Sequence, residues 1–436
     1  MNDGLGRLVS QMKMSRMSLR RGTWTMGTAL VLLTASCSQG GTDPESPGGT
    51  SGADVPAPGQ ISSVSEVGWD WESPEGAQAT DVHPTPVGAV VELEAGLIGL
   101  RGDTGEELWR YPASDDEDVG AEISADGTHA VVRSIADDAE PTAVLLDTTT
   151  GAIVQEVIGW DGQSLLVDDE RQVRRHFDGD GLLVEVADLV EGQALWGQEE
   201  PASCTAGGLS RQVSSIVHPA AIVLVVYCAD DVSEGALYSP SQQATHALVA
   251  LDPGSGEELW RYESTEEDTE GFLPDPEVAR FGDVLVARFP GVSDHLLFDI
   301  VDGDLVAESP GPVLDVTEET YLARGGQEGD SSYELRGFDG QVLYSVAADP
   351  VDAVVALDEG MVRVRMERGP DGDPIDAEVT LWEEGEGTVV ETGLVVESAS
   401  RSEPGRLLRV PGAVLLYPPV APATGADEIG HIVALQ

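Results

Sequence analysis

Gly105-Glu106-Glu107-Leu108-Trp109-Arg110-Tyr111 recurs letter for letter at Gly256-Glu257-Glu258-Leu259-Trp260-Arg261-Tyr262. Each copy closes a longer unit, an apolar run and then a polar turn: LIGLRGDTGEELWRY at 97–111 and ALVALDPGSGEELWRY at 247–262. Looser copies stand at 143–157, 182–196, 296–309, 333–346 and 379–393. The turn glycines Gly105, Gly151, Gly192, Gly256, Gly303, Gly340 and Gly385 are 46, 41, 64, 47, 37 and 45 residues apart. Apolar runs on both sides of an Asp/Thr/Gly turn predict a β-hairpin, with glycine supplying the positive φ. A period of about 40–50 residues is that of a four-stranded blade. The repeats therefore predict an all-β chain folded as a single β-propeller.

The two ends read as halves of one more unit. His431-Ile432-Val433-Ala434-Leu435-Gln436 matches the strand before a repeat turn, and Glu66-Val67-Gly68-Trp69-Asp70-Trp71 matches the strand after it. Pairing them closes the ring and removes two sheet edges. Seven turns plus this shared unit make eight blades. Seven blades is the alternative, because 393–430 carries little pattern. Trp109, Trp196 and Trp260 hold the same repeat position, which predicts blade-to-blade packing, with similar roles for Trp69, Trp71 and Trp382.

The consensus (apolar strand, Leu-Asp, Thr/Ser-Gly-Glu, Leu-Trp, aromatic) resembles the repeat of the PQQ-like β-propeller family over about residues 65–436. Ser124-Ala125-Asp126-Gly127-Thr128 is similar to a blade turn of TolB-type propellers. The PQQ-like family includes quinoprotein dehydrogenases, outer-membrane assembly lipoproteins and proteins of other roles, so the resemblance implies a fold and leaves function open. Its dehydrogenases hold the quinone under a disulfide of adjacent cysteines, beside a Ca²⁺ and an Asp base. The three cysteines here are Cys37, Cys204 and Cys228. No two are adjacent, so PQQ and Ca²⁺ are not expected as cofactors.

The N-terminus reads as an address. Lys13 to Arg21 is basic, 22–35 (GTWTMGTALVLLTA) is uncharged and mostly apolar, and Ser36-Cys37 follows. A basic region, a short apolar run and small residues make a secretory signal, too short for a membrane span. Leu33-Thr34-Ala35-Ser36-Cys37 resembles a bacterial lipobox, with Thr34 where leucine is commoner. The resemblance implies lipidation of Cys37 and anchoring at the extracytoplasmic face of the cell membrane. Translation starts at Met1, Met14 or Met17. The expected domains are a signal peptide at 1–36, a Gly/Ser/Pro-rich tether at 37–62 and the propeller at 63–436. In an oxidising compartment Cys204 and Cys228 are expected to form a disulfide, with two buried thiols as the alternative.

Among 436 residues, 79 are acidic and 23 basic, a net charge of −56. Setting aside 1–36, which holds five of the bases and one acid, leaves −60, and Lys13 is the only lysine. Such a chain repels phosphates, which excludes nucleic acid as a partner and favours a soluble monomeric ring. Asp178-Gly179-Asp180-Gly181 and Asp371-Gly372-Asp373-Pro374 complete no calcium-loop pattern, so no metal site is expected. No HExxH, GxSxG or phosphate-loop motif occurs, and no catalytic residue is assigned. The expected function is a non-catalytic scaffold that binds an envelope protein or ligand. The alternatives are a quinone-dependent oxidoreductase or propeller hydrolase, and an assembly factor for envelope proteins.

Overall fold

Each repeat folds as the third and fourth strands of a four-stranded antiparallel sheet, and eight such sheets form a ring. The computed structural model describes residues 56–74, 79–94, 96–112, 117–136, 142–157, 160, 164–178, 181–198, 209–229, 244–264, 276–290, 292–326, 331–349, 352–358, 360–366, 375–383, 386–390, 395–396, 406–417 and 429–436. Blade 1 spans 79–112, blade 2 117–156, blade 3 165–197, blade 4 209–263, blade 5 277–309, blade 6 313–347 and blade 7 353–390. A short fifth strand, Val395–Val396, pairs with the third strand of blade 7. Blade 8 takes Arg406–Val410, Ala413–Tyr417 and His431–Leu435 from the C-terminus and Val67–Glu72 from the start of the ring. The predicted closure is therefore observed, with Ala434 opposite Trp69 and Ile432 opposite Trp71. Eight blades, not seven, is the count. The eighth was hard to read because its outer strand is encoded more than 330 residues before its first.

The repeat turn works as predicted. In blade 2 the Asp147 carboxylate accepts the N–H groups of Thr149 and Thr150, both at 2.9 Å. Gly151, at φ +67°, then donates back to the Asp147 carbonyl. Asp188, Asp252 and Asp299 cap the turns of blades 3, 4 and 5 in the same way. Just past the turn, the outer strands of blades 1–6 carry a β-bulge. A bulge twists an exposed edge and blunts it against further strand pairing.

The core is a set of seams. Neighbouring strand residues face opposite sides of a blade, and both sides are covered, so the strands read as continuous apolar runs. Val90 and Leu97 of blade 1 face blade 2, whereas Val91 and Ile98 face blade 8. One buried apolar cluster fills each of the eight seams. Ile61 and Val64, ahead of the first strand, are buried in the seam between blades 7 and 8, and Gly59 accepts the Gly412 N–H.

Four seams carry a further device at the outer wall. The indole N–H of Trp109 (blade 1) donates to Thr148 of blade 2 at 2.7 Å, and its ring lies where a Cβ on Gly151 would stand. Trp69 makes the same pairing with Gly102 and Gly105, Trp196 with Pro253 and Gly256, and Trp260 with Ile300 and Gly303. Glycine is needed in these turns twice over, for its positive φ and for the indole above it. The predicted blade-to-blade role of Trp109, Trp196 and Trp260 thus takes a specific form, an indole stapled to the next blade's turn. Trp382 differs. It lies on the third strand of blade 7, packed into the seam with blade 6 under the Arg363 guanidinium, 5.8 Å from its ring centroid.

Candidate functional site: the central funnel

In an antiparallel four-stranded blade the turn after the first strand and the turn after the third emerge at the same end. Thr148 on the repeat turn of blade 2 donates to Thr128 on its first turn, tying the two together. At this end the first strands leave a funnel of about 1180 Å³. Blades 1, 2, 4, 5, 6, 7 and 8 contribute to its lining, and so do Ala57, Pro58, Gln60 and Ile61.

Two arginines brace the funnel. Arg280, at the end of the first strand of blade 5, donates from Nη2 to the Ala125 carbonyl of blade 2 at 3.0 Å, joining residues 155 apart. Burial pulls Arg280 below the ordinary guanidinium value, while Asp283 and Asp126 act in the opposite sense. Arg409 of blade 8 donates to the carbonyls of Ala356 in blade 7 at 3.1 Å and Val316 in blade 6 at 2.9 Å. Asp315 sits beside it and accepts the N–H groups of Ala356 and Val316, both at 2.9 Å. Burial raises the Asp315 carboxyl, with Arg409 and these N–H groups opposing.

The turn 124–128, similar to a TolB-type blade turn, is the first turn of blade 2 and forms part of the funnel wall. Burial would raise the Asp126 carboxyl. The Ser124 hydroxyl at 2.7 Å and the Thr128 N–H at 3.0 Å and hydroxyl at 2.8 Å outweigh that and hold it below the usual carboxylate range. His218 of blade 4 accepts the Ala220 N–H at Nδ1, which leaves Nε2 to donate to Asp283 at 3.0 Å. Burial lowers its pKa against the pull of Asp283, which favours the neutral imidazole.

On the wall between blades 1 and 2, His83 stands 3.5 Å from Glu92 and 4.0 Å from Asp81. Burial opposes its protonation, but these carboxylates and Glu122 together raise its pKa. Burial pushes Glu122 up to about 6, against Arg175 and His83. The funnel is therefore an acidic, internally braced cavity. Asp126, Asp283, Asp315, Glu318 and Asp358 line it against Arg280 and Arg409, and both arginines are already engaged with backbone carbonyls. Among the described residues, no group of three or more His, Cys, Asp or Glu is arranged to hold a metal ion.

The expected site residues fall into three sets. Gly105, Gly151, Gly192, Gly256, Gly303 and Gly340 all stand at repeat turns with φ between +65° and +80°. Trp109, Trp196 and Trp260 are at the outer wall and do not line the funnel. Cys37 and Cys204 lie outside the described residues, while Cys228 is buried in the seam between blades 3 and 4. Sequence reading missed Arg280, Arg409, Asp283 and His218. Arg280, Arg409 and His218 each reach a partner on another blade, which only the folded ring brings near.

These features define an eight-bladed β-propeller with an open funnel. A family model described as outer membrane protein assembly factor BamB matches residues 94–270. Over that part of the ring the chain is similar to the PQQ-like β-propeller repeat. Solved structures similar to the chain include the WD40 domain of SCAP from fission yeast, 11% identical, covering 84% of this chain and 97% of that one, TM-score 0.45. The Cps50 (Swd1) β-propeller domain of Myceliophteria thermophila is also 11% identical, covering 85% and 99%, TM-score 0.37. No curated protein matches the chain.

Proposed function

We propose that the protein is a non-catalytic binding scaffold, held at the extracytoplasmic face of the cell membrane by lipid on Cys37. One observation carries this reading: the funnel is braced from within, with Arg280 and Arg409 both joined to backbone carbonyls of other blades. A rigid ring that presents turns and a preformed acidic mouth suits recognition, because little ordering entropy is lost on binding. The net charge of −56 favours basic partners and disfavours nucleic acid. In an exported setting Cys204 and Cys228 would pair, closing a loop worth roughly 3–4 kcal/mol in the chain-entropy model. The ring acts as a monomer and uses neither PQQ nor Ca²⁺.

The test is crosslinking in the native membrane followed by purification of the full chain. A partner recovered in constant ratio is the expected result. Stoichiometric PQQ uptake with Ca²⁺-dependent alcohol or sugar oxidation, or turnover of an ester panel, would replace the scaffold by an enzyme. A narrower reading, assembly of other envelope proteins, is favoured by the match of 94–270 to a family described by an assembly factor. It predicts that the recovered partner is itself a membrane-assembly component.

A further inference from the structure

A second cavity of about 990 Å³ opens between blades 6 and 7 at the funnel end of the ring. Asp358 lines both it and the funnel. The groove's lining combines the apolar side chains Phe338, Leu343 and Tyr344 with the carboxylates of Glu319, Asp339, Asp358 and Glu386. No Lys, Arg or His is among its lining residues. Leu343 is 41% exposed, as is its neighbour Val342.

The groove lies where the wall is built differently. Register places Ala307 of blade 5 and Tyr344 of blade 6 at the position that Trp109 and Trp260 hold in theirs. With alanine there, no indole covers the next turn: a Cβ on Gly340 would meet nothing within 4 Å. Two consecutive outer strands thus lack the tryptophan that fills the space over the neighbouring turn in four other seams; blade 2, with Gln155 at this position, lacks it singly.

We infer that this groove is a docking site for an extended segment of a partner protein, one that carries Lys or Arg beside an apolar side chain. Charge complementarity selects the occupant. Carboxylates lining the groove beside apolar side chains, with no cation among them, favour ammonium or guanidinium groups that flank an apolar residue. The β-bulge past the turn of blade 6 blunts backbone pairing, so recognition is through side chains. The inference rests on the scaffold reading and names its surface and its partner's chemistry.

The experiment uses the full-length protein in detergent and a short fluorescein-labelled peptide repeating Lys-Leu-Ser, with affinity read by anisotropy. Asp339→Asn with Glu386→Gln should weaken binding about tenfold, the loss of roughly two screened ion pairs. Leu343→Ser should weaken it several-fold. Glu191→Gln with Asp302→Asn removes the same charge from exposed turns of blades 3 and 5 and should leave affinity within about twofold. Equal losses in the two double variants would overturn the inference in favour of bulk charge attraction. Equal binding of a Lys-Ser-Ser peptide would remove the apolar contact from it, and full displacement by millimolar Ca²⁺ would reassign the groove to cations. Failure of the scaffold reading looks different: the peptide still binds the groove, but crosslinking in the native membrane recovers no partner.

Discussion

Blades 8, 1 and 2, and again blades 3, 4 and 5, are joined at their outer wall by indoles seated on glycine turns, whereas blades 5, 6 and 7 are not. The antiparallel strand pattern is common to both regions, and the outer strands of blades 5 and 6 keep the bulge. The position held by tryptophan in the first case is held by Ala307 and Tyr344 in the second, and by Gln155 at the single seam between blades 2 and 3. The comparison separates two jobs that the repeat performs. Hairpin formation needs the turn glycine and not the indole: it persists in blade 1, with Arg101 where blades 2–5 have the capping Asp, and in blade 6, with Gly337 there. Capping the outer wall over the next turn needs the indole, whereas the apolar cluster beneath fills the seam with or without it.

The comparison breaks first on the tryptophans. Trp260→Ala should cost about 3–5 kcal/mol of unfolding free energy, since it empties a packed site and leaves the Ile300 carbonyl without its donor. Leu343→Ala, on the open wall, should cost less than about 1 kcal/mol. Similar losses in denaturant titrations would mean that the indole is surface decoration. The glycines give a smaller, sharper contrast. Gly151→Ala meets both a strained φ and the Trp109 ring at 2.5 Å, and should cost about 2–4 kcal/mol. Gly340→Ala meets only the φ of +80°, and should cost about 1 kcal/mol.

The inner wall supplies a pH test. A carboxyl whose folded pKa is about 6 against an ordinary 4.5 binds more protons in the folded state, so stability falls as pH climbs through that window. Glu122→Gln removes this term and with it one of the carboxylates that raise His83. The variant should unfold at a higher temperature than the parent at pH 7.5, by up to about 2 kcal/mol in stability, and the gap should close near pH 4.5. A gap that is independent of pH would show that Glu122 is ionised without cost. The smallest expected effect is in amide exchange. The turn at Gly340 should exchange faster than those at Gly151, Gly256 and Gly303, each of which lies under an indole.

How much of this was legible in the sequence follows from distance along the chain. The hairpins at 97–111 and 247–262 were readable because cap, turn and glycine lie within a few residues of one another. Ring closure was readable because His431–Leu435 and Val67–Glu72 each look like half of a motif seen elsewhere. The funnel was not readable. Arg280 and Ala125 are 155 residues apart, Arg409 and Val316 are 93 apart, and nothing local marks any of them. The indole staples lay between these extremes. The recurrence of Trp109, Trp196 and Trp260 marked a packing position, but the glycine as the landing site emerged only with the neighbouring blade in place.

The most direct test of the scaffold reading is the intact mass of the protein purified from its own membrane, taken with its near-ultraviolet and visible spectrum. The prediction is a chain beginning at Cys37 with a diacylglyceryl addition, two hydrogens fewer for a Cys204–Cys228 bond, and no bound chromophore. A quinone absorbance carried through purification, or an unmodified chain beginning elsewhere, would contradict it.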